Sequence, residues 1–313
     1  MKKEMAVGVD IGGTKISCGL VDREGVLLRR IIVPTPSGSS AIMDRVADGI
    51  ERLLEEEDGR RRFCLKGIGV GSAGQIDFAA GAVRHAVDTI PGWTGTDIRG
   101  PLSARFELPV YVDNDVNAIA LSEKWFGAGR QYRHFICLAL GTGVGGAIVD
   151  AGRIVRGSFG GAGEFGHMSV DFNGPRCSCG NYGCLELYAS GTGIARIARE
   201  TVGEGAIGLG SGISSHDVIR SWRNGEEWAS RVMDTVVRAL CTAISGMIHA
   251  LNPQAVIIGG GIAEAGSILF DALLSGTETR TSGAMWSAVR LLPAASGVDA
   301  GIMGAAVQAW EYG

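Results

Sequence analysis

Twice in this chain an apolar, strand-like run meets a turn of glycine and threonine and continues as a second apolar run. That repeat constrains the fold more than any other feature. The first copy is MAVGVD, the turn IGGTK and ISCGLVD, within residues 5–22; the second is FICLALGTGVGGAIVD, residues 135–150. Glycines after a strand leave backbone N–H groups free to face phosphate oxygens, and a threonine adds a hydroxyl. Asp10, Gly12, Gly13, Thr14 and Lys15 in the first copy, with Gly141, Thr142 and Gly143 in the second, are therefore candidates for binding a phosphate chain. Asp10, at a strand end, could hold Mg2+ through water. The alternative at residues 10–14 is a plain hairpin turn. No Walker pattern occurs near them. Gly141, Gly143 and Gly146 satisfy G-x-G-x-x-G, as do Gly203, Gly205 and Gly208. A dinucleotide fingerprint needs a helix after the glycines, however, and AIVD is β-like. Two phosphate hairpins suggest a duplicated fold that grips one phosphate chain from two sides.

The segments between the hairpins alternate. Residues 25–34 supply a third strand of a meander. Ile42, Val46, Ile50, Leu53 and Leu54 mark one face of a helix preceded by Ser39 and Ser40 as caps, and residues 66–71 return as a buried strand. Sheet, helix and sheet in this order indicate an α/β class. Residues 109–127 read as a strand running into a helix, with Asp113, Asn114 and Asp115 at the junction and Asn117 after it. Such groups face the crevice at a strand's carboxyl end, where α/β sheets place ligands, or they cap the helix. Residues 186–200 are expected to be helical, 203–215 a loop and 230–251 a long apolar helix. Residues 252–266 form a strand ending in Gly259, Gly260 and Gly261, a turn that could approach a nucleoside. Residues 299–313 read as a closely packed helix of small residues.

Between the second hairpin and these helices lies a dense cluster. His167, Cys177, Cys179 and Cys184 fall within eighteen residues, flanked by Glu164 and Glu186. Three thiolates and an imidazole form the ligand set of a closed tetrahedral Zn2+ site, which would be structural because no position stays open for water. Buried thiols or a disulfide are the alternative, and disulfides are rare in the cytosol. Cys18, Cys64, Cys137 and Cys241 stand singly in apolar segments and read as core residues.

At 313 residues the chain has room for two domains of ~150 residues each. Its formal net charge of −4 offers no basic footprint, so nucleic acid is not an expected partner. Glycine is the compositional outlier, at 50 residues against a usual ~7%. The amino-terminal run is too short for a signal peptide and contains Glu4. The uncharged stretch 240–262 is interrupted by His249, Asn252, Pro253 and Gln254, so it reads as helix, turn and strand and not as a membrane span. A cytoplasmic protein without membrane partners is expected.

VGVDIGGTK, VDNDVNA, LGTGVGG, AGEFGH, CSCGNYGCLE and NPQAVIIGGG resemble the signatures of the ROK sugar kinases, nearly end to end. That family, which includes glucokinase-like and N-acylhexosamine kinase-like members, is a branch of the actin–hexokinase–Hsp70 superfamily. The resemblance implies a two-domain actin/hexokinase-like (ribonuclease H-like) α/β fold with a cleft between the domains. Residues 1–117 with a last helix at about 301–313 would form the smaller domain, and 118–300 the larger. It implies an ATP-dependent kinase acting on a hydroxyl, usually the 6-hydroxyl, of a hexose such as glucose or of an N-acylhexosamine. Asp115 would be the catalytic base; Gly74, Asn114, Asp115, Glu164, His167 and Glu186 would bind sugar, with His167 also holding zinc. Gly12, Thr14, Gly141, Thr142 and Gly143 would cradle ATP, with Mg2+ as its companion. Homodimers or homotetramers are usual among such relatives. SAGQID with TIPGWTGT also resembles members acting on β-glucosides or amino sugars, and fructose or mannose kinases are further alternatives. The family's transcriptional regulators carry a helix-turn-helix domain ahead of the first strand, where this sequence has four residues before Met5.

Overall fold

The computed structural model describes residues 2–56, 63–86, 90–202 and 212–313. Thr89 of the TIPGWTGT stretch, and residues 203–211 of the expected loop with the glycines 203, 205 and 208, lie outside them. Contacts divide the chain into two compact units, each with its own apolar core. The first comprises residues 1–131, 152–162 and 295–313; the second comprises 132–151 and 163–294.

The first unit opens with β1 (Lys3–Ile11), β2 (Lys15–Asp22) and β3 (Leu27–Pro34), followed by α1 (Ser39–Glu56). Ser39 and Ser40 lie within α1, not ahead of it, and Ile42, Val46, Ile50 and Leu53 bury its apolar face completely. Then come β4 (Phe63–Ser72), the small β5 (Gln75–Asp77) and β6 (Ala82–His85) hairpin, α2 (Arg99–Phe106), β7 (Val110–Asn114) and α3 (Asp115–Trp125). The main sheet has the order β3-β2-β1-β4-β7, with β1 antiparallel to β2 and parallel to β4, and β4 parallel to β7.

The second unit repeats that pattern. β8 (Phe135–Leu140) pairs antiparallel with β9 (Val144–Asp150). The two-residue β10 (Arg153–Ile154) belongs to the first unit. Returning to the second unit, α4 (Glu186–Ala189), α5 (Gly191–Val202), α6 (Ser215–Arg223) and α7 (Glu227–Leu251) precede β11 (Ala255–Gly259). α8 (Ser267–Glu278), α9 (Gly283–Ala288) and β12 (Arg290–Pro293) follow, and the chain ends in α10 (Ala300–Glu311) of the first unit. β8 lies parallel to β11, and β11 to β12. The duplicated topology is that of an antiparallel hairpin followed by two parallel strands, as the repeated motif demands.

Three expectations are corrected in detail. The helix expected at 186–200 is two helices, because Ser190 turns the chain and its hydroxyl accepts from Gly193 N–H (2.9 Å). The 117/118 boundary falls inside α3, which stays whole in the first unit. Cys64 is exposed, whereas Cys18, Cys137 and Cys241 are buried. The close packing of α10 holds: alanine at Gly304 would drive a methyl into the backbone of Ala118, and at Gly8 into the carbonyl of Ile302. Among the described residues no helix is long and apolar enough to cross a membrane.

Candidate active site

In the first unit three parallel strands end together. Ile11 of β1 stands beside Ser72 of β4, and Ser72 beside Asn114 of β7. This register brings the first hairpin turn, the Gly74 turn and the Asn114–Asp115 junction to one carboxyl edge of the sheet, where α/β proteins bind ligands. The turn is closed by Gly12 N–H donating to Lys15 O (3.0 Å). Thr35, just beyond β3, braces it by donating from its hydroxyl to Gly12 O (2.7 Å) and from its N–H to Thr14 O (3.0 Å). Gly13 and Thr14 remain exposed, and so does Lys15. Asp10 is half-buried against the start of α10, where a methyl on Gly301 would come 2.7 Å from its carboxylate. Burial pushes its carboxyl above the ordinary range, against the pull of Lys15, and a cation beside it would offset that cost.

The four polar residues of the β7–α3 junction separate into two kinds. Asn114 caps α3: its side-chain oxygen accepts from Val116 N–H (2.8 Å) and Asn117 N–H (3.2 Å). Its Nδ2 donates to Gly74 O (3.0 Å), which leaves one amide N–H to offer a ligand. Gly74 has φ of +100°, and a methyl there would come 2.7 Å from His85 O. Asp115 is the first residue of α3, half-buried, at a helix end whose N–H groups favour negative charge. Asp113 and Asn117, by contrast, are buried and bonded to each other (2.8 Å). They do not face the crevice as expected, because an ion pair with Arg156 takes the Asp113 carboxylate inward (2.6 Å).

In the second unit, the β8–β9 turn and the Gly259–Gly261 turn share the edge where Ala139 pairs with Gly259. Gly260 has φ of +90° and leaves no room for a side chain above the Leu140 carbonyl. The turn does not open an α-helix but a 3-10 segment, Gly261–Ala265. Helix starts close the rest: Gly191 N–H donates to Gly141 O (2.8 Å) and the Thr192 hydroxyl to Thr142 O (3.1 Å). Between these groups lies a cavity of about 440 Å³ lined by Gly141, Thr142, Thr192, Ser214, His216 and Gly261, among others. Sequence reading did not single out Thr192 or Ser214–His216. The available signal was the capping box of Ser214 with Asp217, which marks a helix start.

The cysteine segment forms a compact loop behind the second hairpin. His167 Nδ1 lies 3.7 Å from Cys177 Sγ, Cys179 Sγ lies 3.6 Å from Cys184 Sγ, and all four donor atoms fall within 4.8 Å of one another. Zn–S bonds of ~2.3 Å and a Zn–N bond of ~2.0 Å at tetrahedral angles call for donor separations of about 3.5–3.8 Å; the pairs at 3.7 and 3.6 Å match them, and the donor set is compatible with structural zinc. The cysteines are free, not paired in a disulfide. Burial opposes ionisation of Cys177, but hydrogen bonds with Cys179 and His167 bring its thiol down to about 7. Burial, with Cys177 and Cys179 close by, drives Cys184 up to about 12. With Nδ1 turned to the sulfurs, His167 keeps Nε2 for a second partner. Glu164 is exposed just before the short helical turn of Phe165–His167. Glu186 reaches the hairpin: its Oε2 accepts from Val144 N–H (3.0 Å) and lies where a methyl on Gly143 would come within 2.5 Å.

Residues 6–311 match the family model described as the ROK family. A glucokinase of Thermotoga maritima is 38% identical over 315 aligned residues, covering 98% of this chain and 97% of its own. An N-acetyl-D-glucosamine kinase of Salmonella typhimurium is 35% identical over 82% of this chain and 84% of its own. The crystal structure of a ROK family glucokinase from Streptomyces griseus, in complex with glucose and AMPPNP, superposes with a TM-score of 0.84. It is 33% identical and covers 98% of this chain and 99% of its own.

Proposed function

The chain belongs to the ROK family, and from that premise we propose that it is an ATP-dependent kinase of a hexose or an N-acylhexosamine, acting on the 6-hydroxyl. Relatives at 35–38% identity along most of the chain support the activity. The observation that carries the residue assignment is the division of labour at the β7–α3 junction. Asp113 is neutralised inside the protein, while Asp115 opens α3 at the sheet edge that also holds the first glycine turn.

A sugar hydroxyl is a weak nucleophile. Asp115 takes its proton as it attacks the γ-phosphorus, a contribution of about 10²–10⁴ in rate. The proton ends on the Asp115 carboxylate, the new O–P bond forms as the bond to ADP breaks, and ADP leaves as the second product. Asn114 presents its remaining amide N–H to a sugar hydroxyl and holds Gly74 in place. Glu164 and Glu186, with His167 through Nε2, complete the sugar site; a missing hydroxyl would leave one of these groups unpaired, which is how such a site discriminates. Each unit offers one backbone suited to phosphate oxygens, Gly12–Thr14 in the first and Gly141–Gly143 in the second, and the nucleoside fills the second unit's cavity between Thr142, Ser214 and Gly261. Mg2+ held near Asp10 would neutralise phosphate charge during transfer. Zn2+ held by His167, Cys177, Cys179 and Cys184 would supply folding energy and no chemical step.

The test is a coupled ADP-release assay over glucose, mannose, fructose, N-acetylglucosamine, N-acetylmannosamine and β-glucosides. Turnover with glucose or an N-acylhexosamine is expected, and Asp115→Asn should reduce it about 10²–10⁴-fold. Asp115→Asn with full activity would remove the base assignment; no turnover on any sugar would remove the kinase reading.

A further inference from the structure

The pair Asp113–Arg156 takes no part in the chemistry described above, yet it is built with unusual completeness. The Asp113 side chain is 2% exposed and that of Arg156 19%. A carboxylate offers about four lone-pair sites, and four donors fill them. Oδ1 accepts from Asn114 N–H (2.8 Å) and Asn117 Nδ2 (2.8 Å); Oδ2 accepts from Arg156 Nε (2.9 Å) and Nη2 (2.6 Å). One oxygen therefore grips the junction on either side of Asp115, and the other grips the guanidinium. The guanidinium is fixed in turn. Its Nη2 donates to the Tyr312 hydroxyl (2.7 Å), and its carbon sits 3.7 Å from the Phe78 ring centre and 4.9 Å from that of Tyr312. Arg156 lies in residues 152–162, which group with the first unit although the segments on both sides belong to the second.

We propose that Arg156 is a positioning residue for phosphoryl transfer, which sets the Asn114–Asp115 turn through the Asp113 carboxylate. The proposal rests on the reading of Asp115 as the base. A guanidinium suits the task because it is planar, permanently charged and forked, so its Nε and Nη2 converge on the one oxygen Oδ2 and hold it in place. Without it, Asp113 would remain a buried anion with an empty oxygen, and the turn bonded to its other oxygen would move as the carboxylate sought water. Misplacement of a reacting group by about 1 Å costs on the order of 10²-fold in rate.

The experiment compares Arg156→Met, the double variant Arg156→Met/Asp113→Asn and Asp115→Asn, with kcat expressed per site that binds a non-hydrolysable ATP analogue. Arg156→Met should lose about 100-fold in kcat while KM for ATP stays within about threefold. The double variant keeps the methionine but removes the buried charge, and it should regain at least about tenfold of that loss. A purely packing role predicts no recovery, because the side chain at 156 is unchanged, and absence of recovery overturns the proposal. An active Arg156→Met beside an inactive Asp115→Asn also overturns it while leaving the base assignment intact. Full activity of Asp115→Asn overturns both. Where Arg156→Met binds no nucleotide analogue, the double variant decides: kcat within about tenfold of the parent supports the positioning role, and a deeper loss overturns it.

Discussion

The two glycine hairpins read alike in sequence and are braced in different ways. The β1–β2 turn is held by its own strand and by Thr35 at the end of the neighbouring one, all within residues 12–35. The β8–β9 turn is held by Glu186, Gly191 and Thr192, which follow the cysteine segment some fifty residues later. The first is a local device of a meander. The second depends on a segment anchored in the core at its ends by Phe165 and Leu185, while its middle is open: Phe172 and Tyr182 are exposed, and Cys179 with them. A duplicated fold can thus keep the same strand pattern and assign the stability of each glycine turn to a different source.

The largest expected effect tests that dependence. Cys179→Ser should release one Zn2+ per chain, read by metal analysis, and reduce kcat/KM for sugar by about 100-fold, as loss of a metal's supporting shell does. The difference between hairpins predicts a further asymmetry. Amide hydrogen exchange should accelerate at residues 141–146 and stay unchanged at residues 12–15. Equal acceleration at both would break the comparison.

A smaller effect follows from Glu186. Alanine at Gly143 places a methyl 2.5 Å from Glu186 Oε2, and the carboxylate can retreat only by releasing Val144 N–H. Overpacking of this kind costs about 1–3 kcal/mol, which should appear as a rise of about fivefold or more in KM for ATP. A Gly143→Ala enzyme with unchanged KM for ATP would place the phosphates elsewhere.

Much of this was legible in the sequence, for a physical reason: strands, hairpins and the metal loop are set by local pattern and short spacing. The duplicated strand order follows from two glycine turns, and the candidate metal cluster from four side chains within eighteen residues. What was not legible depends on partners far apart in the chain. Asp113 reads like Asp115 in the run VDNDVNA, and only Arg156, forty-three residues on, separates a buried structural carboxylate from the candidate base. Glu123, fully buried on α3, is another such case: it accepts from the N–H groups of Ala128, Ala295 and Ser296, and periodicity carries no sign of that. The cavity of the second unit was legible in its glycines and hidden in its helix starts.

One of those starts supplies a graded test. Ser214 caps α6 through Asp217 N–H (3.2 Å), while Asp217 accepts from Ser214 N–H (3.0 Å). Ser214→Ala should cost about 1 kcal/mol of stability, measured by denaturant unfolding. The Ser214 hydroxyl and N–H, with Arg220, hold the Asp217 carboxyl below its ordinary range. The sign is therefore that Asp217 stabilises the fold above the usual carboxylate range, and that this contribution is lost as pH falls through its folded value. The deficit of Ser214→Ala relative to the parent should accordingly shrink in acid.

The smallest effect belongs to the first hairpin and completes the contrast. Gly12 does not have left-handed φ, and a methyl there would meet only Lys15 O, at 3.4 Å, which is ordinary contact. Its carbonyl keeps Thr35 and its N–H keeps Lys15 whichever side chain it carries. Gly12→Ala should therefore shift stability by no more than about 0.5 kcal/mol, against about 1–3 for Gly143→Ala. Matched unfolding curves for the two variants read this directly. If Gly12→Ala proved the more destabilising of the two, local bracing would not be what holds the first turn, and the two hairpins would have to be treated as alike.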